Sequence, residues 1–145
     1  MNRYQTLLCA LDLGDDCRSL IETAMAFEPA TLRLLHVCEH PITGFGESTG
    51  NNLRVTEAQI RQQAFPQLSS LAAEFDIDTQ QLDIQFGDPV EIIHSTARKH
   101  QCDLIIIGSE CKGGLRRLLG STSSGVIHGA PCDILTVNIE QQSKA

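Results

Sequence analysis

Apolar positions recur along the chain in two alternating rhythms. Tyr4 to Leu11 (YQTLLCAL) is a short apolar run that reads as a strand ending at Asp12. From Asp16 to Phe27, Leu20, Ile21, Ala24 and Phe27 fit one helical face, with Asp15 and Asp16 at its positive N-terminal end and Pro29 marking its end. Leu32 to Val37 (LRLLHV) is a second strand. Residues 39–52 carry Pro41, Gly44, Gly46 and Gly50 and read as an irregular loop, long for a compact domain. From Leu53 to Phe75, Ile60, Ala64, Leu68, Leu71 and Phe75 repeat at helical spacing, and Pro66 predicts a kink or break near Phe65.

Leu82, Ile84 and Phe86 alternate with polar residues as a strand near a sheet edge. Gly87-Asp88-Pro89 then announces a helix: Asp88 caps it, Pro89 suits its first position, and Glu91 reaches back as in a capping box. That helix runs to about His100, with Val90, Ile93 and Ala97 inward. The unbroken apolar run ending at Ile107 predicts a strand over Asp103 to Ile107, buried on both faces. A last helix over Ser121 to His128 and a last strand over Ile134 to Ile139 complete the order. Strand and helix alternate throughout, which predicts a parallel α/β sheet with helices on both faces. Ligands of such sheets bind at the carboxyl ends of strands, where Asp12, Val37 and Gly108 fall.

Composition narrows the function. A chain of 145 residues with 41% hydrophobic and 20% charged residues is expected to form one globular domain. The net charge of −7 argues against nucleic acid and against a polybasic membrane surface as partners. No apolar run approaches the roughly 20 residues that span a bilayer. The first residues enter a strand pattern without an apolar leader, so a cytoplasmic location is expected. The six cysteines (Cys9, Cys17, Cys38, Cys102, Cys111 and Cys132) show no C-x-x-C spacing and read as reduced structural thiols. Cys111, beside Lys112, is the one placed for redox chemistry, because a nearby cation lowers a thiol pKa. His36, His40, His94, His100 and His128 show no metal spacing, so no structural metal is expected.

The chemistry concentrates in the last third. The buried strand empties at Gly108-Ser109 into a loop carrying Lys112, Gly113, Gly114, Arg116 and Arg117, followed by Gly120-Ser121-Thr122-Ser123-Ser124 at a helix start. Backbone N–H groups in such a loop converge on an anion, and the helix dipole favours it. The reading is a phosphate site in a nucleotide binder. The chain has no G-x-x-x-x-G-K-[ST] and no G-x-S-x-G motif, so it is neither a standard P-loop enzyme nor a legible serine hydrolase.

In order, the strand ending in Asp12, LRLLHV, GDPVEII (Gly87 to Ile93), CDLIIIGS (Cys102 to Ser109), GGLRRLLGS (Gly113 to Ser121) and HGAPCDILTV (His128 to Val137) resemble the universal stress proteins along nearly the whole chain. The resemblance implies one domain over residues 1–145, with 140–145 a short tail. It implies an open five-stranded parallel sheet of order 3-2-1-4-5, Rossmann-like and of the adenine nucleotide alpha hydrolase-like kind. It also implies a homodimer that pairs its last strands (Ile134 to Ile139), and a stress-response role through a regulatory protein partner.

One branch of that family binds ATP through a pattern of Gly, two residues, Gly, nine residues, and Gly followed by Ser or Thr. Gly108 matches the first position and Gly120-Ser121 the last pair. Cys111 stands where the second Gly is expected, and only eight residues, Lys112 to Leu119, separate it from Gly120. ATP, with Mg²⁺ bridging its phosphates, is the implied cofactor. By that resemblance Asp12 sits beside the ribose hydroxyls and Val37 lines the adenine pocket. Gly108 allows close backbone approach. Ser109, Gly113, Gly114, Gly120, Ser121, Thr122 and Ser123 give N–H groups and hydroxyls to phosphate. Each has a plainer reading: Asp12 as a turn or cap residue, Val37 as core, Gly108 as a tight turn, Gly113-Gly114 as a flexible loop, and Gly120 to Thr122 as a helix cap. Two other functions stand beside ATP-dependent regulation. One is a dimeric interaction protein without nucleotide, favoured by the irregular 108–120 loop. The other is a slow ATPase or an autophosphorylating enzyme using Ser121 to Ser124. A flavin binder is weaker, since the chain has no Trp and Tyr4 is its one Tyr.

Overall fold

The computed structural model describes residues 3–13, 17–38, 56–109 and 125–138. In chain order the elements are β1 (Thr6–Leu11), α1 (Cys17–Met25), β2 (Thr31–Cys38), α2 (Glu57–Glu74), β3 (Leu82–Phe86), α3 (Pro89–Lys99), β4 (Leu104–Ser109) and β5 (Asp133–Asn138). Residues 125–127 are helical, the described part of the helix expected over Ser121 to His128. The strands form one five-stranded sheet of order β3-β2-β1-β4-β5, and every neighbouring pair is parallel.

The two faces of the sheet follow from the period of two along each strand. Leu7, Cys9 and Leu11 of β1 and Leu104 and Ile106 of β4 pack on one face with Cys17, Leu20, Ile21 and Ala24 of α1 and Ala64, Leu68 and Ala72 of α2. Leu8, Leu35, Ile105 and Ile107 face the other way onto Ile93 and Ala97 of α3 and onto Val126. β4 therefore contributes to both cores, as its continuous apolar run predicts.

Two local expectations are corrected at α2. α2 begins at Glu57, because Thr56 caps it: the Thr56 hydroxyl accepts from the Gln59 N–H (3.1 Å) and the Gln59 side chain accepts from the Thr56 N–H (3.0 Å). Pro66 does not break the helix, which runs unbroken to Glu74. Pro66 and Gln62 are both exposed, so the carbonyl that loses its i→i−4 partner faces water. A 3₁₀ turn, Thr79–Gln81, capped by Asp78, precedes β3. At α3 the Asp88 half of the expected capping box is present, its carboxylate accepting from the Glu91 N–H (3.0 Å) with Pro89 in the first turn, while the Glu91 side chain does not reach back to Asp88.

Polar side chains make contacts at both edge strands. At β3, Arg61 donates to the Ile84 carbonyl (3.0 Å) and lies 5.2 Å over the Phe86 ring. At β5, Asp133 accepts from Tyr4 (2.8 Å) and pairs with Arg3 (3.1 Å).

An ionic group lies at the C-terminal end of α3. Arg33 donates to Asp83 (3.1 Å), and His100 stands 3.9 Å from the same carboxylate. Burial, then the Arg33 charge, holds the His100 pKa below its ordinary 6.5, with Asp83 opposing. The folded state thus binds this proton less readily than the unfolded chain. The resulting stability is present above the unfolded pKa and is lost as pH falls through the lower, folded value. Urea unfolding from about pH 7.5 down to about pH 5.5 is expected to show a steeper loss of stability in the wild type than in His100→Gln. Equal slopes would remove His100 from the acid sensitivity.

Candidate functional site

β1 is the strand on which the chain reverses direction across the sheet, since β2 and β3 lie to one side and β4 and β5 to the other. The β1–β2 ladder runs to Leu11↔His36 and the β4–β5 ladder to Ser109↔Asn138. The β1–β4 ladder stops earlier, at Cys9↔Ile106. Among the described residues, β1 and β4 therefore part at their carboxyl ends. These ends lie at the topological switch point, where open α/β sheets have the crevice that receives ligands.

Asp12 follows β1 directly, and Gly108 and Ser109 end β4, so the three flank this crevice. Gly108 is paired with Val137, which makes it a strand residue and not part of a tight turn. Val37 lies one strand away, half-buried near the end of β2 and packed against the second core cluster. Gly113, Gly114, Gly120, Ser121, Thr122 and Ser123 lie outside the described residues, as do Cys111, Lys112, Arg116 and Arg117.

Several features near the crevice escape sequence periodicity. The His36 ring bonds the Leu11 carbonyl through Nδ1 (2.9 Å); a carbonyl can only accept, so Nδ1 carries the proton. This bond fastens the carboxyl end of β1 to β2. Leu13, next to Asp12, takes a left-handed φ of 62°. A non-glycine residue adopts that conformation at a cost of about 1 kcal/mol. The Cys17 thiol donates to Asp12 Oδ1 (3.8 Å).

The described thiols suit packing more than reactivity. Cys9, Cys17, Cys38 and Cys102 are buried and Cys132 half-buried, and all five are free. Burial pushes Cys102 up to about 12 and Cys17 and Cys132 up to about 11. Each therefore stays protonated at neutral pH.

Residues 125–127 are clamped onto α3. The His94 ring, buried on α3, donates from Nε2 to the Val126 carbonyl (2.8 Å). One residue earlier, a Cβ at Gly125 would lie 2.7 Å from Val90 Cγ2. A valine on a helix has little χ1 freedom to retreat. Gly125→Ala is therefore expected to destabilise by about 1–2 kcal/mol, overpacking outweighing the gain in helix propensity. Adding Val90→Ala should relieve part of that cost. A double-mutant cycle by urea unfolding measures it, and strictly additive effects would contradict the contact.

Fold and crevice together define an open α/β sheet of the adenine nucleotide alpha hydrolase-like class. The model of the Universal stress protein family matches residues 3–138. The chain belongs to the universal stress protein family. Universal stress protein A homolog 2 of Coxiella burnetii is 34% identical over 145 residues, covering 97% of this chain and 99% of its own length. The solved structure of UspA from Lactobacillus plantarum matches with a TM-score of 0.67 and 25% identity, over 94% of this chain and 99% of that one. An Arabidopsis thaliana family protein with AMP bound matches with a TM-score of 0.59 and 16% identity, over 92% of this chain and 91% of that one. A universal stress protein in complex with cAMP matches with a TM-score of 0.52 and 20% identity, over 94% of this chain and 98% of that one. The last two likenesses are of fold. No helix among the described residues is long and apolar enough to cross a membrane.

Proposed function

We propose that this protein binds ATP in the crevice between the carboxyl ends of β1 and β4 and acts as a nucleotide-dependent regulatory module. The observation that carries the reading is the early end of the β1–β4 ladder at Cys9↔Ile106, with Asp12 and Gly108 at the carboxyl ends of the two strands beyond it. The donor set there fits a nucleoside phosphate. Asp12 supplies carboxylate oxygens for ribose hydroxyls, Val37 supplies apolar surface for a base, and Gly108 leaves the crevice wall without a side chain. Ser109, Gly113, Gly114, Gly120, Ser121, Thr122 and Ser123 complete the site in this reading, giving N–H groups and hydroxyls to the phosphates, with Mg²⁺ as counter-ion. Bound AMP and cAMP in two proteins of the same fold support the ligand class.

When bound, ATP supplies a charged polyphosphate that either orders the surrounding loops or, if hydrolysed, releases them. The chain's own part is to bind and orient. In this reading it works in the cytoplasm as one domain and as a homodimer. β5 is an edge strand of the sheet, and its Ile134, Leu135 and Val137 give it an apolar character suited to a second copy. A regulatory protein partner then reads the loaded or empty state.

The test is calorimetric titration with ATP–Mg²⁺ of wild type and of Gly120→Asp, which sets a carboxylate against the phosphates. Micromolar binding that the variant loses supports the reading. Absence of binding by folded wild type would mean that Cys111 and the shortened 112–119 segment close the site, leaving a dimeric interaction protein.

A further inference from the structure

We propose that His94 is a positioning residue for the phosphate end of the nucleotide, an inference that rests on the nucleotide reading above. His94 is buried on α3, whose Ile93 and Ala97 pack on the sheet among Leu8, Leu35, Ile105 and Ile107. An imidazole in that setting costs desolvation unless it is bonded. Its Nε2 donates to the Val126 carbonyl at 2.8 Å. The helical turn over residues 125–127 ends there, and Gly129 follows with a left-handed φ of 74°. The Val126 carbonyl is therefore one of the closing carbonyls that a helix does not satisfy from within. His94 satisfies it from the neighbouring helix.

A second contact fixes the same place independently. Val90 and His94 are four residues apart and share one face of α3. Gly125 lies so close to Val90 that a Cβ on it would stand 2.7 Å from Cγ2. The glycine sets how closely the segment approaches α3, and the directional hydrogen bond sets how it is turned. Val126 is fully buried in the cluster that includes Ile107, the residue before Gly108. The clamp thus lies at the first two turns of α3, on the face of the sheet that carries the end of β4. In the nucleotide reading the stretch that contacts phosphate ends at Ser123, two residues before Gly125. Two residues of chain span at most about 7 Å. The place of Gly125 therefore limits where Ser121, Thr122 and Ser123 reach, whereas Asp12 and Val37, which meet ribose and base, belong to other elements.

The experiment compares ATP–Mg²⁺ with adenosine, which carries the same base and ribose but no phosphate. Affinities for both are measured by NMR titration in wild type, His94→Leu, His94→Gln and Leu68→Ala, each first shown to be folded by its amide spectrum. His94→Leu keeps bulk and removes the donor, while His94→Gln keeps an N–H. Leu68→Ala, fully buried on α2 across the sheet, lowers stability at a distance from the 125–127 segment. Wild type is expected to prefer ATP. His94→Leu should reduce that preference about fivefold, leaving adenosine affinity within about twofold. His94→Gln should restore most of it, and Leu68→Ala should leave it unchanged. Gly125→Ala, which pushes the segment off α3, should lower the same preference, and adding Val90→Ala should return it; this pair decides the matter if His94→Leu does not fold. An unchanged preference in His94→Leu, equal weakening of both ligands, or the same loss in Leu68→Ala would overturn the proposal while leaving the nucleotide reading intact. Failure of wild type to bind ATP, or to prefer it, would overturn the nucleotide reading, and the role of His94 with it.

Discussion

Replacing His94 by alanine lowers the stability of the folded chain by about 2–4 kcal/mol. Two costs add. The Val126 carbonyl loses its 2.8 Å donor in a buried place, and the side chain, 9% exposed, leaves a cavity between α3 and the 125–127 segment. Water cannot readily take over a donor role where the neighbours are Ile93, Ala97 and Val126, which are nearly excluded from solvent. Urea unfolding measures the loss. His94→Gln, which keeps an N–H donor on a similar span, should recover part of it. A loss below about 0.5 kcal/mol for alanine would show that the bond does not hold the segment.

Ile106→Ala is expected to cost about 2–5 kcal/mol, the range for deleting a buried isoleucine where the surroundings cannot collapse. Ile106 is fully buried on β4 and stands between Cys9 of β1 and Leu135 of β5. It is also the last residue of β4 paired to β1, so its removal loosens the sheet where the crevice begins. Both effects should appear together, as reduced stability and as weaker ATP binding. Ile105→Ala, equally buried but on the opposite face, serves as the matched control. If Ile106→Ala unfolds with the wild-type midpoint, the packing of this face is not what holds the two strands together.

Much of the architecture was legible because its signals are local. A period of two with β-branched and leucine residues, alternating with helical spacing, is sufficient to place five strands and the helices between them. Strand order came from family resemblance, and the sheet has that order. Where the structure differs from the periodicity, a second local signal or exposure to water is the reason. The start of α2 was written in Thr56 and Gln59, a capping box that periodicity alone overruns. Pro66 was tolerated because its face is exposed, which no pattern of apolar residues reveals.

The site was legible only as far as strand ends are. Asp12, Val37 and Gly108 could be placed at carboxyl ends because each follows or closes an apolar run. The contacts that organise this region join residues that no window connects. His36 meets Leu11 across 25 positions and His94 meets Val126 across 32. Cys17 was near enough in sequence to Asp12 to be noticed, but a cysteine at a helix start reads first as a small hydrophobe.

The central claim is that nucleotide sits where β1 and β4 part, and amide chemical shifts during titration of the wild-type chain with ATP–Mg²⁺ test it most directly. The account predicts saturable shifts at Asp12, Leu13, Val37, Gly108 and Ser109, with Thr6, Asp103 and Asp133 at the amino ends of the same sheet unmoved. Saturable shifts confined to those amino ends, or no shifts from a folded protein at millimolar nucleotide, would contradict it.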